Sequence, residues 1–357
     1  MALDRARSAI TKLAEKNFIT YPALRPLAWI FGRIMRERNR RFDTGRIPVQ
    51  SVAVPVISVG NLSVGGTGKT PMCRWLLKVL KEQGLHPAML SRGYGRKTSG
   101  FLALHAGSTA DEVGDEPLEV FSSFGGDVPV FVCEDRVSGA RQLLQHDGSI
   151  NAIVLDDAYQ HRFLHRDINI LLTDYRRLYT HDRMMPEGRL RELPEGAARA
   201  DIIIVTKCPA DLSSEQADAI TRELQPLESQ QVFFSAISYE PLQADDLGSQ
   251  RLLIFTGIAN PQPLVSHYDG RSLSLQTLRF PDHHRFTDSD IARVAAAARQ
   301  ADIVITTAKD FSRLPASIPD SLHSKLHVQH IDVEILLGQE EELKETFSNL
   351  SSRGEES

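Results

Sequence analysis

Cysteine is scarce in this chain of 357 residues, which contains only Cys73, Cys133 and Cys208. The three lie far apart, and none of them forms a CxxC pair with another. Neither a disulfide framework nor a cysteine-based zinc site is therefore indicated. So few cysteines, in an odd number, fit a reducing cytoplasm better than an oxidising compartment.

Long hydrophobic runs are also missing. No stretch approaches the roughly 20 apolar residues that cross a bilayer, so a membrane-spanning segment is not expected. The N-terminal segment is polar and charged as far as Lys16, which is unlike the apolar core of a secretory signal. The sequence has no internal repeats and no low-complexity tracts.

Positive charge is not in excess, because 41 Lys and Arg residues face 46 Asp and Glu residues, for a formal net charge of −5. This balance argues against a general nucleic-acid-binding protein, although it leaves room for a local basic patch. The hydrophobic fraction of 41% and the charged fraction of 24% are ordinary for a soluble globular protein. The length predicts about two domains.

The chain does contain a phosphate-binding loop. An apolar, β-branched run over residues 52–60 stops at Gly60, a glycine-rich stretch follows, and a helix-forming segment starts at Pro71. Glycines let backbone N–H groups turn toward a phosphate, and the helix N-terminus adds partial positive charge. A lysine and a threonine at its end can reach the terminal phosphates and a Mg²⁺ ion. The loop residues predicted to bind the nucleotide are Ser63, Gly65, Gly66, Thr67, Gly68, Lys69 and Thr70.

Strand-like and helix-like segments alternate along the rest of the chain, which predicts an α/β fold with a mostly parallel, P-loop NTPase-like sheet. A second, smaller α/β unit is expected after the polar stretch 236–250. We therefore predict an N-terminal helical segment over 1–45, a nucleotide-binding domain over 46–235 and a smaller C-terminal α/β domain over 236–357.

Polar residues follow two of the predicted strands. Asp156 and Asp157 close an apolar run, and acids in this position of P-loop proteins hold Mg²⁺ directly or through water. Aspartates also cap ordinary strand ends and turns, but their place downstream of a phosphate loop favours the metal. Thr206 and Lys207 end another strand, at the edge where open sheets bind ligands. We expect them to flank the nucleotide base.

Other candidates are weaker from the residues alone. Asp115 either serves as a base for an attacking hydroxyl or caps a helix as a surface residue. His283 and His284, after Asp282, fit a metal site, a proton-shuttling group or an exposed loop. Arginines of the lid-like segment 186–192 can neutralise a transferring phosphoryl group or lie on the surface without a role.

Residues 22–42 form a basic amphipathic helix. Arg25, Arg33, Arg36 and Arg40 lie roughly opposite its apolar face, with Trp29 among them. Such a helix either lies in the headgroup region of an anionic membrane or packs its apolar face on its own domain. The apolar face consists of Leu24, Leu27, Ala28, Phe31, Ile34 and Met35.

These motifs, in this order, resemble the tetraacyldisaccharide 4′-kinase family of the lipid A pathway. Ser63 is typical of this family's loop, whereas Ala158, Arg189 and Ala308 depart from its usual glycine, proline and glutamate. The matching motifs are 63–71 (SVGGTGKTP), 91–96 (SRGYGR), 113–117 (VGDEP), 155–161 (LDDAYQH), 188–192 (GRLRE), 280–284 (FPDHH) and 307–310 (TAKD).

The resemblance implies an ATP- and Mg²⁺-dependent kinase that phosphorylates the 4′-hydroxyl of a tetraacylated glucosamine disaccharide 1-phosphate. It implies two α/β lobes joined by a two-stranded linker, with the site in the cleft. Asp115 is expected to be the base, assisted by His283. Lys69 and Arg191 are expected to act on the phosphates. The expected metal-site residues are Thr70, Asp156, Asp157 and Glu192.

The resemblance also implies a peripheral protein on the cytoplasmic face of the inner membrane of a Gram-negative bacterium, held there by its N-terminal helix. The expected partners are the acylated lipid substrate and the anionic membrane surface, with no nucleic acid, and a monomer is expected. One rival is a membrane-associated P-loop switch ATPase or GTPase, which usually has metal-binding clusters or works as a dimer. A soluble small-molecule kinase would leave the 22–42 helix unexplained.

Overall fold

Two sheets with parallel strands organise the chain in the computed structural model. The structure describes residues 22–242, 247–258, 260–282, 284–315, 318–348 and 350. One sheet has nine strands and the other has four. We call the part built on the nine-stranded sheet the large unit and the part built on the four-stranded sheet the small unit.

The large unit alternates strands and helices, as the sequence predicts. Its elements are α1 (Arg25–Asp43), β1 (Val56–Asn61), α2 (Lys69–Glu82), β2 (Pro87–Ser91), β3 (Leu102–Ala103), α3 (Ala110–Val113), α4 (Asp115–Ser123), β4 (Val130–Val132), α5 (Arg136–His146), β5 (Ala152–Asp156), β6 (Ile168–Asp174), β7 (Ile202–Cys208), α6 (Ser214–Leu224) and β8 (Gln231–Tyr239).

The small unit follows, and the chain then returns to the large unit. The elements of the small unit are β9 (Arg251–Thr256), α7 (Gln262–Tyr268), β10 (Ser274–Arg279), α8 (Asp288–Ala298), β11 (Ile303–Thr307), α9 (Ala308–Phe311), α10 (Asp320–His323) and β12 (Leu326–Gln329). The returning elements are β13 (Ile331–Ile335) and α11 (Glu340–Ser348).

The order of the large sheet brings the predicted site strands together. The order is β13-β8-β7-β6-β1-β5-β2-β4-β3, and only the two edge strands, β13 and β3, run antiparallel to their neighbours. All residues of β1 and β5 are buried, because helices cover both faces of a parallel sheet. The carboxyl ends of β1, β5, β6 and β7 therefore lie along one edge, where ligands of such sheets bind.

The division between the two units differs from the prediction. The sequence assigns everything after residue 235 to the C-terminal domain, but β13 pairs with β8 in the large sheet. Phe347 of α11 is fully buried in the large unit's core, with its ring 6.4 Å from that of Trp75. β8 and β13 thus form the two-stranded connection, and residues 331–348 belong to the large unit because Ile335, Leu343 and Phe347 are buried in its core.

The apolar face expected for the N-terminal helix is divided between two environments. Ala28, Phe31 and Met35 are buried against the large unit, so assigning them to a membrane-facing surface is wrong. Leu27 and Ile34 are instead exposed, together with Trp29 and Ile30, at fractions of 42–66%. Among the described residues, no helix has the length and apolarity needed to cross a bilayer.

Phe347→Ala is expected to destabilise the large unit, because it removes a fully buried ring and leaves a cavity worth about 3–5 kcal/mol. Chemical unfolding of the full chain measures the loss. Glu345→Ala on the exposed side of the same helix is the control, with an expected change within about 0.5 kcal/mol. Equal stability of the two variants would mean that α11 does not belong to the core.

Candidate active site

The phosphate loop joins β1 to α2 in the predicted way. Gly68 is the N-cap of α2 with a φ of +83°, a left-handed conformation that favours glycine. The Asn61 side chain donates to Thr67 Oγ1 at 2.7 Å, which fixes the two ends of the loop relative to each other. Ser63 stands where phosphate loops usually have glycine, and it has no positive φ. Its backbone conformation therefore does not require a glycine.

The segment 189–191 pairs with the phosphate loop through its backbone. The Val64 N–H donates to the Arg189 carbonyl at 2.8 Å, and the Arg191 N–H donates to the Leu62 carbonyl at 2.7 Å. A β-bridge between Ser63 and Leu190 lies between these bonds. The segment predicted to be a lid is thus packed along the loop, and this contact brings Arg191 to the site.

Two cations surround the carboxylate of Asp157. Arg191 Nη1 lies 3.1 Å and 2.9 Å from its two oxygens, and Lys69 Nζ lies 3.7 Å from Oδ1. Burial by itself would raise the pKa of Asp157, but the charges of Arg191 and Lys69 outweigh it and hold the pKa below its usual range. Asp157 is therefore a stable anion that orients both cations beside the loop.

Asp156 has the opposite electrostatic environment. Burial, with the nearby charges of Glu116 and Asp157, raises the pKa of this carboxyl to about 7. Ser91 Oγ donates to its Oδ2 at 3.1 Å, and Cys73 Sγ lies 3.8 Å from Oδ1. A buried carboxylate among other acids is costly, and a cation bound beside it would offset that cost.

Thr206 and Lys207, at the end of β7, lie against the phosphate loop. Thr206 Oγ1 donates to the Thr67 carbonyl at 2.9 Å. Lys207 Nζ bonds to the Gly66 carbonyl and, at 2.7 Å, to Asp174 Oδ2. These contacts support the loop from the side of β7. A role next to the nucleotide base stays a prediction.

A cleft of about 310 Å³ opens between the phosphate loop and the end of β6. Its walls include loop residues 63–67 and the side chains of Asp174, Arg177 and Arg189. Arg177 pairs with the buried Asp182 at 2.9 Å, so the guanidinium of Arg177 is held in place at this wall. A cleft of this size beside a phosphate loop suits part of a nucleotide.

Asp115 is the first residue of α4 and faces the small unit. Its Oδ2 accepts two bonds from Arg313, at 2.8 Å from Nε and at 2.5 Å from Nη2. The neighbouring Glu116 is close enough to Asp156 for its charge to raise the pKa of that carboxyl. Asp115 therefore starts a helix at the margin of the acidic cluster, between the two units.

The two histidines of the 280–284 motif cannot be described together. His283 lies outside the described residues, so its role stays a prediction. His284 bonds to Asp290 Oδ2 at 3.0 Å and stacks on the Phe280 ring, 5.0 Å between centroids. It thus has structural contacts within the small unit.

Glu192 is fully buried behind the loop-pairing segment rather than open to the cleft. Its Oε1 accepts from Asn39 of α1 and pairs with Arg199 at 2.7 Å. Within the described part of the chain, its Oε2 is buried without a hydrogen-bond partner. Its assignment to the metal is not tested by these contacts and stays a prediction.

The donor set fits a hard divalent cation that is bound mainly by its ligand. Over the described ranges, no group of three or more His, Cys, Asp and Glu side chains is arranged to hold a metal. Mg²⁺ often takes only one or two carboxylates and completes its shell with water and substrate phosphates. The acid pair of Asp156 and Asp157 and the hydroxyl of Thr70 have the right chemistry for this arrangement.

Sequence reasoning did not identify three residues that shape the site. Ser91 bonds to Asp156, and in the sequence it stands out only as part of the motif 91–96. Arg136 is buried near the end of β5, where burial and the charge of Arg92 lower its pKa to about 10. Arg313 is 198 residues from Asp115, so no spacing pattern could have linked them.

A phosphate loop, an acid pair on the adjacent parallel strand and a fixed arginine define a P-loop phosphotransferase with α/β architecture. The sequence profile of a family described as tetraacyldisaccharide-1-P 4′-kinase, LpxK, matches residues 20–351. The chain belongs to this family, as its motifs predict.

Individual relatives agree with this assignment. The chain is 37% identical to a tetraacyldisaccharide 4′-kinase of Bacteroides fragilis, over 92% of this chain and 93% of the relative. It is 41% identical to a tetraacyldisaccharide 4′-kinase of Flavobacterium johnsoniae, over 87% and 95%. A crystal structure of LpxK from Aquifex aeolicus in complex with ATP matches with a TM-score of 0.71 and 28% identity, over 92% and 98%. The predicted family and fold class are confirmed.

The raised pKa of Asp156 predicts a pH-dependent stability. Because its folded pKa of about 7 lies above the unfolded value of 3.8, its stabilisation is complete below about pH 4 and is lost as the pH rises through about 7. Without metal or nucleotide, Asp156→Asn should therefore gain stability over the wild type from pH 5 to pH 8, by a few kcal/mol at most. Unfolding in EDTA at a series of pH values measures the difference.

Asp157→Asn is the control of opposite sign. The lowered folded pKa of Asp157 gives stabilisation that is present above the unfolded pKa and is lost as the pH falls. This variant should be less stable than the wild type at pH 7, and the gap should narrow in acid. A gap between Asp156→Asn and the wild type that does not change with pH would contradict the proposed burial cost.

Proposed function

We propose that this chain transfers the γ-phosphoryl group of ATP to the 4′-hydroxyl of a tetraacylated glucosamine disaccharide 1-phosphate, a step of lipid A biosynthesis. The observation that carries the proposal is the contact of Lys69 and Arg191 with Asp157 beside the phosphate loop, in a chain of this kinase family. We propose that the enzyme works as a monomer.

Charge compensation explains what the loop and its arginine do. The transferring phosphoryl group is charged on its outer oxygens, and fixed cations lower the barrier because they need no reorganisation during the reaction. Lys69 and Arg191 are fixed by Asp157 at 3.7 Å and 2.9 Å. Mg²⁺, held by Thr70, Asp156, Asp157 and by Glu192 nearby, would supply further positive charge at the phosphates.

Asp115 is the proposed base for the sugar hydroxyl, with His283 assisting. A carboxylate orients the hydroxyl and accepts its proton as the new bond to phosphorus forms. Its contact with Arg313 of the small unit at the start of α4 supports this role, because an acceptor bound between the two units would lie near it. Closure of the units would exclude water, which otherwise competes as the acceptor.

The exposed side of α1 is the proposed membrane contact. Leu27, Ile30 and Ile34 lie on one stripe of the helix and are 42–55% exposed. Trp29, with the Arg33 guanidinium 5.4 Å from its ring centroid, borders the stripe. Such a surface suits the interface of an anionic membrane. We place the protein on the cytoplasmic face of the inner membrane, where the acyl chains of its substrate can stay in the bilayer.

A direct assay tests the proposed reaction. The purified chain is incubated with γ-labelled ATP, Mg²⁺ and the acylated disaccharide 1-phosphate in detergent micelles, and label should appear in the lipid. The rival switch ATPase or GTPase would hydrolyse its nucleotide at the same slow rate with or without the lipid. An unlabelled acceptor in the presence of such hydrolysis would favour the rival and reject the kinase.

Asp115→Ala should lower kcat by about 10²–10⁴-fold, the usual contribution of a positioned base, with little change in the KM for ATP because Asp115 does not belong to the phosphate loop. Steady-state kinetics with lipid and ATP varied separately measure both constants. Glu112→Ala, an exposed acid in the preceding helix α3, is the matched control. Near-wild-type turnover of Asp115→Ala would remove the base assignment.

Replacing Leu27, Ile30 and Ile34 together by serine should weaken binding to anionic vesicles, because about 0.8 kcal/mol is lost for each buried CH₂ withdrawn from the interface. Vesicle co-sedimentation and membrane fractionation measure the change. A triple replacement of Val49, Leu227 and Leu273, which are also exposed, by serine is the control. Equal retention of both triple variants would show that α1 is not the membrane contact.

A further inference from the structure

Acidic side chains of the large unit face basic side chains of the small unit across their contact. Asp111, Asp115 and Glu116 come from the start of α3 and α4 in the large unit. Their partners, Arg285, Arg313 and Lys309, come from the small unit. The three pairs form one charge-complementary strip, and its middle pair contains the proposed base.

The middle pair differs from the other two in burial and geometry. The Arg313 side chain is 3% exposed, whereas that of Arg285 is 67% exposed. Arg313 directs Nε and Nη2 to the same oxygen of Asp115, which is a charge-assisted fork with a fixed orientation. Exposed ion pairs contribute little, so the Arg285 pair does not fix its partner in this way.

Arg313 is itself held by a rigid anchor in the small unit. Its Nη1 lies 3.6 Å from Asp310, which is fully buried. Oδ2 of Asp310 accepts from Thr256 Oγ1 at 2.6 Å, from the Gly257 N–H at 3.1 Å and from Thr307 Oγ1 at 2.8 Å. These donors stand at the carboxyl ends of β9 and β11, so the position of the guanidinium is determined by the small sheet.

We propose that Arg313 is a positioning residue for the Asp115 carboxylate, so that contact between the two units places the base for attack. The inference rests on the proposed function, because it concerns the base of that reaction. It assigns proton acceptance to Asp115 and only the orientation of its carboxylate to Arg313. A misplacement of about 1 Å in such a group can cost about 10²-fold in rate.

The test compares Arg313→Gln, Arg313→Lys and Arg285→Gln in the lipid kinase assay with the full chain. Arg313→Gln should lower kcat by about 10–100-fold and leave the KM for ATP nearly unchanged, because a positioning role acts on the reacting geometry. Arg313→Lys keeps a cation near the carboxylate but loses the two-donor fork, so it should recover only part of the loss and stay clearly below the wild type in kcat. Arg285→Gln removes a neighbouring contact between the units and should keep kcat within about twofold.

A double-mutant cycle connects the effect to the base. If Arg313 acts through Asp115, adding Arg313→Gln to Asp115→Ala should lower kcat no further. A multiplicative loss in the double variant would overturn the inference, as would a folded Arg313→Gln with wild-type kcat or an equal loss in Arg285→Gln. Thermal unfolding checks each variant, and if Arg313→Gln fails to fold, an unchanged kcat in Arg313→Lys overturns the inference.

The wild-type protein separates this inference from the function on which it rests. Phosphorylated lipid from the wild type together with an unaffected Arg313→Gln would reject the role of Arg313 alone. No phosphorylated lipid from the wild type would reject the proposed reaction itself, and the positioning role with it.

Discussion

The ion cluster at Asp157 is the interaction on which the rest of the site depends. One carboxylate pairs with the lysine of the phosphate loop and with an arginine from a segment 34 residues further along the chain. Two like charges near each other repel unless an anion lies between them. Asp157 therefore allows Lys69 and Arg191 to be concentrated where a triphosphate would bind, without a bound nucleotide to hold them.

Backbone pairing makes that cluster rigid. The phosphate loop has little regular structure of its own, but it bonds on one side to residues 189–191 and on the other to Thr206 and Lys207. Close packing beneath the loop matters as well. A Cβ on Gly60 would lie 2.7 Å from Tyr159 Cβ, so only glycine lets the end of β1 approach the chain that follows the acid pair.

A part of the site could be predicted from the sequence when its residues form a short local motif, and not when they come from distant parts of the chain. The loop at 63–70 is one continuous segment, and the acids at 156–157 are neighbours in the sequence. Each follows an apolar strand, so the sequence predicts that they meet at one edge of the sheet. The contact of Asp115 with Arg313 has no such signal, because the two residues meet only when separate units pack. The return of β13 to the large sheet is hidden for the same reason.

Helix α1 illustrates a second limit. Helical periodicity identifies its apolar side, but periodicity cannot say which part packs on protein and which part is left outside. In the structure, one part of that side, which includes Phe31, is buried, and another part, which includes Ile34, is exposed. The apolar content of the helix was thus predictable, and its division between core and surface was a result of the tertiary packing.

That division links the proposed membrane contact to the phosphate loop. Phe31 and Met35 pack in the same core cluster as Leu62 and Val64 of the phosphate loop, and Asn39 bonds to Glu192, next to Arg191. The adjoining flank of the same helix carries the exposed stripe of Leu27, Ile30 and Ile34. Packed interiors transmit displacements because they have few voids. An enzyme with an acyl-chain substrate needs its site at a fixed height above the bilayer. In the proposed membrane-bound state, a single rigid helix between lipid and loop would set that height.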